Sequence, residues 1–187
     1  KTIINDCTKM DTAHMYNANT EPLTFETLLT RLSSLFASVQ SNVDKDQTID
    51  ALRLIVEFLN MDRGIIVFFG EDIDTTTTIS IYTVSGVEFS DKNLDRCFRW
   101  FTNVAGLSTP IIMQRIPDDL PREAIEERAY YLAEGIKTGV FVPIKLHDVI
   151  LGYGIFLSKH EVSPWPKKMV TKFTLLGEIL ANVFGRM

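Results

Sequence analysis

The chain has 187 residues, 45% of them hydrophobic and 12 of them phenylalanine, enough to bury a sizeable core in one domain and too apolar for disorder. Its 24 acidic and 19 basic residues give a formal net charge of -5, and the basic ones are scattered without a stripe, which argues against nucleic-acid binding. The longest apolar runs, such as Ile65 to Phe69, are too short to cross a bilayer. Cys7 and Cys97 are too few for a disulfide scaffold or a cysteine metal site, the usage expected of a cytoplasmic protein.

Residues Lys1 to Pro22 are polar without a sustained period and read as a linker or N-terminal arm, leaving 23–187 as a single domain. The start at Lys1, with no initiator methionine, reads as a piece of a longer protein. Phe25, Leu28, Leu32, Leu35 and Val39 then recur at helical spacing. Asp46 and Thr48 are cap candidates ahead of a second amphipathic helix carrying Ile49, Leu52, Ile55, Val56 and Leu59. The apolar run from Gly64 to Phe69 predicts a buried strand, Gly70 to Thr75 a turn, and Thr76 to Val84 a β-branched strand paired with the first. A helix is expected near Asn93 to Val104 and a short strand over Ile111 to Ile116.

Pro121 suits the first turn of a further helix, where its missing N–H is no loss, and Gly135 suits the positive-φ stop of that helix. Val140, Val142, Ile144 and Leu146 alternate, as do Leu151, Tyr153, Ile155 and Leu157, predicting two paired strands joined at His147-Asp148. Lys168 to Met187 closes the chain as a long helix. The whole is α+β, with a five- or six-stranded antiparallel sheet between helices at both ends.

The residue types that carry chemistry are sparse. Cys97 lacks an assured base or cation to lower its pKa, although Arg96 and Arg99 adjoin it, and it reads as a small apolar residue on a pocket-side helix. His14, His147 and His160 have no i, i+4 partner of a helical metal site. Glu123, Glu126 and Glu127 read as a solvated face whose acids oppose the helix dipole, with Arg122 and Glu126 spaced for an ion pair. Arg128 can fork an anion or tie its helix to the sheet by an ion pair. Gly152-Tyr153-Gly154 lies inside a strand, so it is no phosphate loop, and its glycines leave a bare strip for a helix or ligand.

Several residues nevertheless stand in a telling order. Leu120-Pro121 precedes a helix with Glu127-Arg128, followed by Gly135-Ile136-Lys137-Thr138, then Val142-Pro143-Ile144, Leu151-Gly152 and Trp165. This order resembles the GAF family, the small-molecule-sensing domains of bacterial signalling proteins, most closely those that accompany histidine kinases. The match spans roughly Leu28 to Met187; it departs at His147-Asp148, where the family often has glycine.

The resemblance implies a sheet in order 2-1-5-4-3, terminal helices on one face and a ligand-type pocket on the other. It also implies a non-catalytic sensory module of a signal-transduction protein, with a sensor histidine kinase the favoured parent. The alternatives are a structural GAF domain that only dimerises, or a cysteine-dependent methionine sulfoxide reductase. The ninety positions between Cys7 and Cys97 weigh against the reductase. Bilin-binding relatives place a His directly after their cysteine, where this chain has Phe98. No bilin, haem or metal signature is present, and an unidentified small molecule is the expected ligand. Its site is expected between the sheet, the segment 89–116 and the helix after Pro121, with Phe98, Trp100 and Phe101 as walls and Tyr82, Arg128 and Tyr130 as polar contacts.

Met169, Phe173, Leu176, Leu180, Val183 and Met187 are spaced 4, 3, 4, 3 and 4, a heptad seam, and Leu28, Leu32, Leu35 and Val39 repeat the pattern in the first helix. With Val170, Leu175 and Ile179 adding a second apolar line, this predicts a parallel homodimer through Leu28, Leu32, Leu35, Val39, Leu176, Leu180, Val183 and Met187. An effector domain in the same polypeptide is the other expected partner.

Overall fold

The computed structural model describes residues 23–37, 45–69, 76–90, 92, 94, 98–103, 108–162 and 164–184, without the side chains of 76–79 and 102–103. The expectations for the 1–22 arm, the 70–75 turn, Cys7, His14, Val39, Cys97 and Met187 lie outside the described residues. The elements run α1 Phe25–Ala37, α2 Lys45–Leu59, β1 Arg63–Phe69, β2 Thr76–Thr83, α3 Arg99–Asn103, β3 Ile111–Met113, α4 Ile125–Glu134, β4 Thr138–Leu146, β5 Val149–Ser158 and α5 Met169–Phe184. Five strands form one antiparallel sheet in the order β2-β1-β5-β4-β3, as expected.

Thr24 starts α1: its Oγ1 accepts the N–H of Thr27 at 3.2 Å, satisfying a donor that the first helical turn cannot pair. Asp46 and Thr48, read as caps from sequence, instead lie inside α2, and Thr48 is buried. The helix ends at Asn60, which takes the left-handed region with φ 53. The hairpin between β4 and β5 turns at His147, also left-handed at φ 55, and Lys145 pairs with Asp148 across it at 3.4 Å.

Period-2 alternation splits the core between the two sheet faces. Val140, Val142, Ile144 and Phe156 face α1, α2 and α5, where Leu28, Leu32, Leu52, Ile55, Leu176 and Leu180 are buried. Phe141, Tyr153, Ile155 and Leu157 face the other way, under Phe98, Phe101, Met113, Tyr130 and Tyr131. Gly177 sets the distance between α5 and the sheet, because a Cβ there would lie 2.1 Å from the carbonyl oxygen of Pro143. The bare strip at Gly152 and Gly154 has mixed causes. A Cβ on Gly154 would meet the Phe156 ring at 3.3 Å and Leu180 of α5 at 3.8 Å, whereas one on Gly152 would strike the Val67 carbonyl oxygen of β1 at 2.0 Å.

This packing corrects the expected dimer seam. Leu28, Leu32, Leu176 and Leu180 are essentially inaccessible inside one chain, so they form its own core and offer no surface to a second copy. Of the seam within the described residues, Leu35 and Val183 keep partial exposure. Val170 and Leu175 are the exposed large hydrophobics of α5.

Candidate functional site

The face opposite the terminal helices is roofed by α3, α4 and the turns between them. The helix expected from Pro121 starts four residues later, at Ile125, with Ala124 at its N-cap and no side-chain cap. Pro121 to Ala124 form a turn closed by the Ala124 N–H on the Pro121 carbonyl at 3.2 Å. Arg128 fastens this turn. Its guanidinium donates to the carbonyl oxygens of Pro117 at 3.0 Å, Leu120 at 2.9 Å and Pro121 at 3.4 Å. Neither the expected anion fork nor the ion pair to the sheet describes it; the group acts as a clamp on three carbonyls, two of which, Pro117 and Pro121, also accept a backbone N–H. Gly135, at φ 71, ends α4 as expected, with Ile136 donating back to Tyr131 at 2.8 Å.

Three of the six expected ligand residues do converge beneath the roof. Phe98, Phe101 and Tyr130 are buried together, Phe101 stacks on Phe141 at 4.0 Å, and Tyr130 donates its hydroxyl to the Ser90 carbonyl at 3.1 Å. These side chains pack in one cluster with Tyr131 and Phe141. Trp100 stands at the edge, with its ring 5.2 Å from that of Phe101. Tyr82 is a correction. It pairs with Gly64, whose Cβ would meet Val56 and Leu52 of α2, so Tyr82 packs on the helical face while its neighbour Ile81 faces the roof.

Glu127 was read as part of a solvated face, and it is 1% exposed. Its carboxylate accepts the N–H of Trp100, while the neighbouring Glu126 pairs with Arg99 at 3.1 Å, so two consecutive acids of α4 hold the first turn of α3. Burial pushes the Glu127 carboxyl up, against the opposing pull of the Trp100 amide. A carboxyl whose folded pKa is raised favours folding most below its unfolded pKa, and that contribution falls away as pH rises through the folded pKa. Glu127→Gln keeps an acceptor oxygen without a charge. It should therefore be more stable than the parent at neutral pH, with the gap closing in acid. Glu127→Ala leaves the Trp100 N–H unsatisfied and should cost about 1–3 kcal/mol. Urea unfolding of the three proteins at acidic and neutral pH reads both effects, and a pH-independent gap between Gln and parent would contradict the first.

Two further constellations escaped the sequence reading. Asp62 Oδ2 accepts the Ser158 hydroxyl at 2.8 Å and the Lys159 N–H at 2.7 Å, and lies 3.2 Å from His160 Nδ1. Serine, histidine and aspartate meet here, yet Ser158 Oγ contacts the same ring nitrogen as the aspartate, at 2.7 Å, and His160 Nε2 faces the Asn60 carbonyl. A proton relay needs the serine and the acid on opposite nitrogens, and Ser158 is wholly buried. This is a structural knot. The second is Phe89, with the Arg63 guanidinium 5.1 Å and Lys159 Nζ 4.6 Å from its ring centre, beside a cavity of about 530 Å³ lined also by Ile81, Thr83, Val87 and Glu88. Among the described residues no cluster of three or more His, Cys, Asp or Glu could hold a metal ion, and no helix is long and apolar enough to cross a membrane.

No protein-family model matches this sequence, and no match to a curated protein sequence reaches significance. Solved structures match over most of the chain. The phycocyanobilin-bound GAF domain of a cyanobacterial phytochrome superposes with a TM-score of 0.66 at 15% identity, covering 86% of this chain and 93% of its own. A GAF domain assigned to a sensor histidine kinase of Pseudomonas syringae pv. tomato gives 0.54 at 12% identity, covering 84% and 85%. This chain has the GAF fold. A domain assigned to a two-component sensor histidine kinase protein of Sinorhizobium meliloti is also similar, with a TM-score of 0.55 at 18% identity over 78% of this chain and 94% of that one. Within the GAF frame, the roof of α3 and α4 and the helical layer of α1, α2 and α5 lie on opposite sides of the sheet.

Proposed function

We propose that residues 23–187 form a sensory and regulatory GAF domain of a bacterial signal-transduction protein, with a sensor histidine kinase the favoured parent. Residues 1–22 are its linker or N-terminal arm, and the domain works in the cytoplasm without chemistry of its own. The observation that carries this reading is the two-sided architecture: the roof of α3 and α4 on one sheet face, and the layer of α1, α2 and α5 on the other. Support for a non-catalytic role comes from the Asp62, Ser158 and His160 knot, whose geometry is wrong for a relay. A small molecule or partner acting at the roof would shift α1 and α5, which continue toward an effector domain in the same polypeptide.

Homodimerisation belongs to the same proposal, through α1 and α5, now at the partly exposed Leu35 and Val183, with Val170 and Leu175 as the other exposed apolar side chains of α5. A second reading is favoured by one observation. Phe98, Phe101 and Tyr130 are buried together beneath the roof, which fits a structural GAF domain that dimerises without a ligand.

Native mass spectrometry of freshly purified protein separates the readings. The sensory domain is expected as a dimer carrying a small-molecule mass, and the structural domain as a dimer without one. Val183→Glu should shift the dimer to monomer, since a charge would be buried unpaired in the interface. A monomer for both parent and variant sinks the dimer.

A further inference from the structure

The inward side of α4 belongs to the core, where Glu127, Tyr130 and Tyr131 are buried. On its outward side Ile125 and Leu132 are 72% and 57% exposed, and Ala129 between them is exposed as well. Spacings of four and three put these residues on one helix face. Single apolar residues scattered over a surface are ordinary, whereas this is a continuous two-turn stripe. Its profile is large, small, large, centred on Ala129. A small residue at a crossing point lets two helices approach closely, to about 8 Å between axes. Beside Ile125 the surface dips into a cavity of about 360 Å³ where Trp100 and Ile125 supply the apolar wall. Leu132 stands two turns further on as a knob. Hole and knob at opposite ends of one face fit a copy of that face turned end for end. The charges agree with this seating. Glu123 before the stripe and Lys137 after it are both exposed, and neither is in an ion pair among the described residues.

We propose that the outer face of α4 docks on α4 of a second copy of this chain, antiparallel across a two-fold axis at Ala129. Each Leu132 then sits over Trp100 and Ile125 of the other copy, and each Glu123 approaches the other copy's Lys137. A two-fold contact makes both sets of interactions at once. A ten-residue helix offers a face about 15 Å long. That covers less than the roughly 800 Å² per partner of a stable complex, so the pairing is weak and forms where copies are already concentrated. Because α4 lies on the sheet face opposite α1 and α5, this contact is separate from the dimer proposed above and would join such dimers to one another.

With Cys7 and Cys97 replaced by alanine, Ala129→Cys puts one thiol of each copy at the axis, within reach of a disulfide. In concentrated, mildly oxidising solution it should cross-link at least about tenfold faster than Val149→Cys, an exposed position at the start of β5 and off the stripe. Leu132→Asp, added to Ala129→Cys, should remove that advantage. The chain should still fold, because Leu132 belongs to neither core cluster. Equal rates for Ala129→Cys and Val149→Cys overturn the proposal and leave the face to a different protein. An advantage that survives Leu132→Asp overturns the antiparallel seating. Neither outcome bears on pairing through α1 and α5, which Val183→Glu reads.

Discussion

Phe101→Ala should cost about 3–5 kcal/mol of folding stability. The ring is fully buried, stacks on Phe141 at 4.0 Å and meets Trp100 edge-on at 5.2 Å, so it is the main filler between α3 and the sheet. Its removal withdraws apolar contact from both sides and leaves a void walled by aromatic and aliphatic groups. Such voids stay dry and admit small apolar molecules. The variant should therefore regain part of its stability in the presence of benzene, while the parent is unaffected. Urea unfolding with and without benzene provides the measurement. A loss below about 1 kcal/mol would mean that α3 bears little on the sheet.

Gly177→Ala tests the other face. Alanine improves helix propensity by about 1 kcal/mol. Here its Cβ would stand 2.1 Å from the Pro143 carbonyl oxygen and 3.2 Å from Val142 Cγ1. The first of these is backbone in a central strand, so the helix must lift away. Overpacking of this kind costs about 1–3 kcal/mol. The net expectation is destabilisation, with weaker packing of α5 on β4. A variant more stable than the parent in urea would refute the close approach, because propensity alone would then have decided the sign.

The sheet was the most legible part of the fold. Val140 to Ile144 and Leu151 to Leu157 were readable as strands because both sheet faces are covered, which leaves short, nearly continuous apolar runs. The order of the strands came from the GAF resemblance and not from periodicity, which carries no information on neighbours. Face assignment near β2 failed at Tyr82, where one residue of parity decides the side of the sheet, and β1 carries an irregularity at Ile66/Val67. The dimer seam failed for a related reason. A 3.5-residue repeat marks a helix that packs along its length, and α1 and α5 pack within their own chain at Leu28, Leu32, Leu176 and Leu180.

The site was less legible. Phe98, Phe101 and Tyr130 were identifiable as roof residues because aromatic side chains cluster there in sequence. Glu127 was not, since an acid in the first turn of a helix is normally solvated. Its burial depends on α3 arriving from 27 positions away. Within the expected helix over 93–104, Arg99 to Asn103 are helical, and nothing in their spacing says that Trp100 lies against α4. Pro121 misled for a local reason. It fits a first helical turn equally well as a turn whose carbonyls a distant guanidinium satisfies, and only the fold brings Arg128 to them.

The knot at Asp62 joins positions 62 and 158, which are 96 residues apart. Everything between them, from β1 to β5, is thereby a closed circuit containing the whole sheet together with α3 and α4. The layer of α1, α2 and α5 is made wholly of chain that enters before the knot or leaves after it. The sheet and its roof thus form one enclosed unit, to which the incoming chain is tied at Asp62 and the outgoing chain at Ser158 and, one strand over, at Thr138, whose hydroxyl donates to the His160 carbonyl and accepts the Val162 N–H.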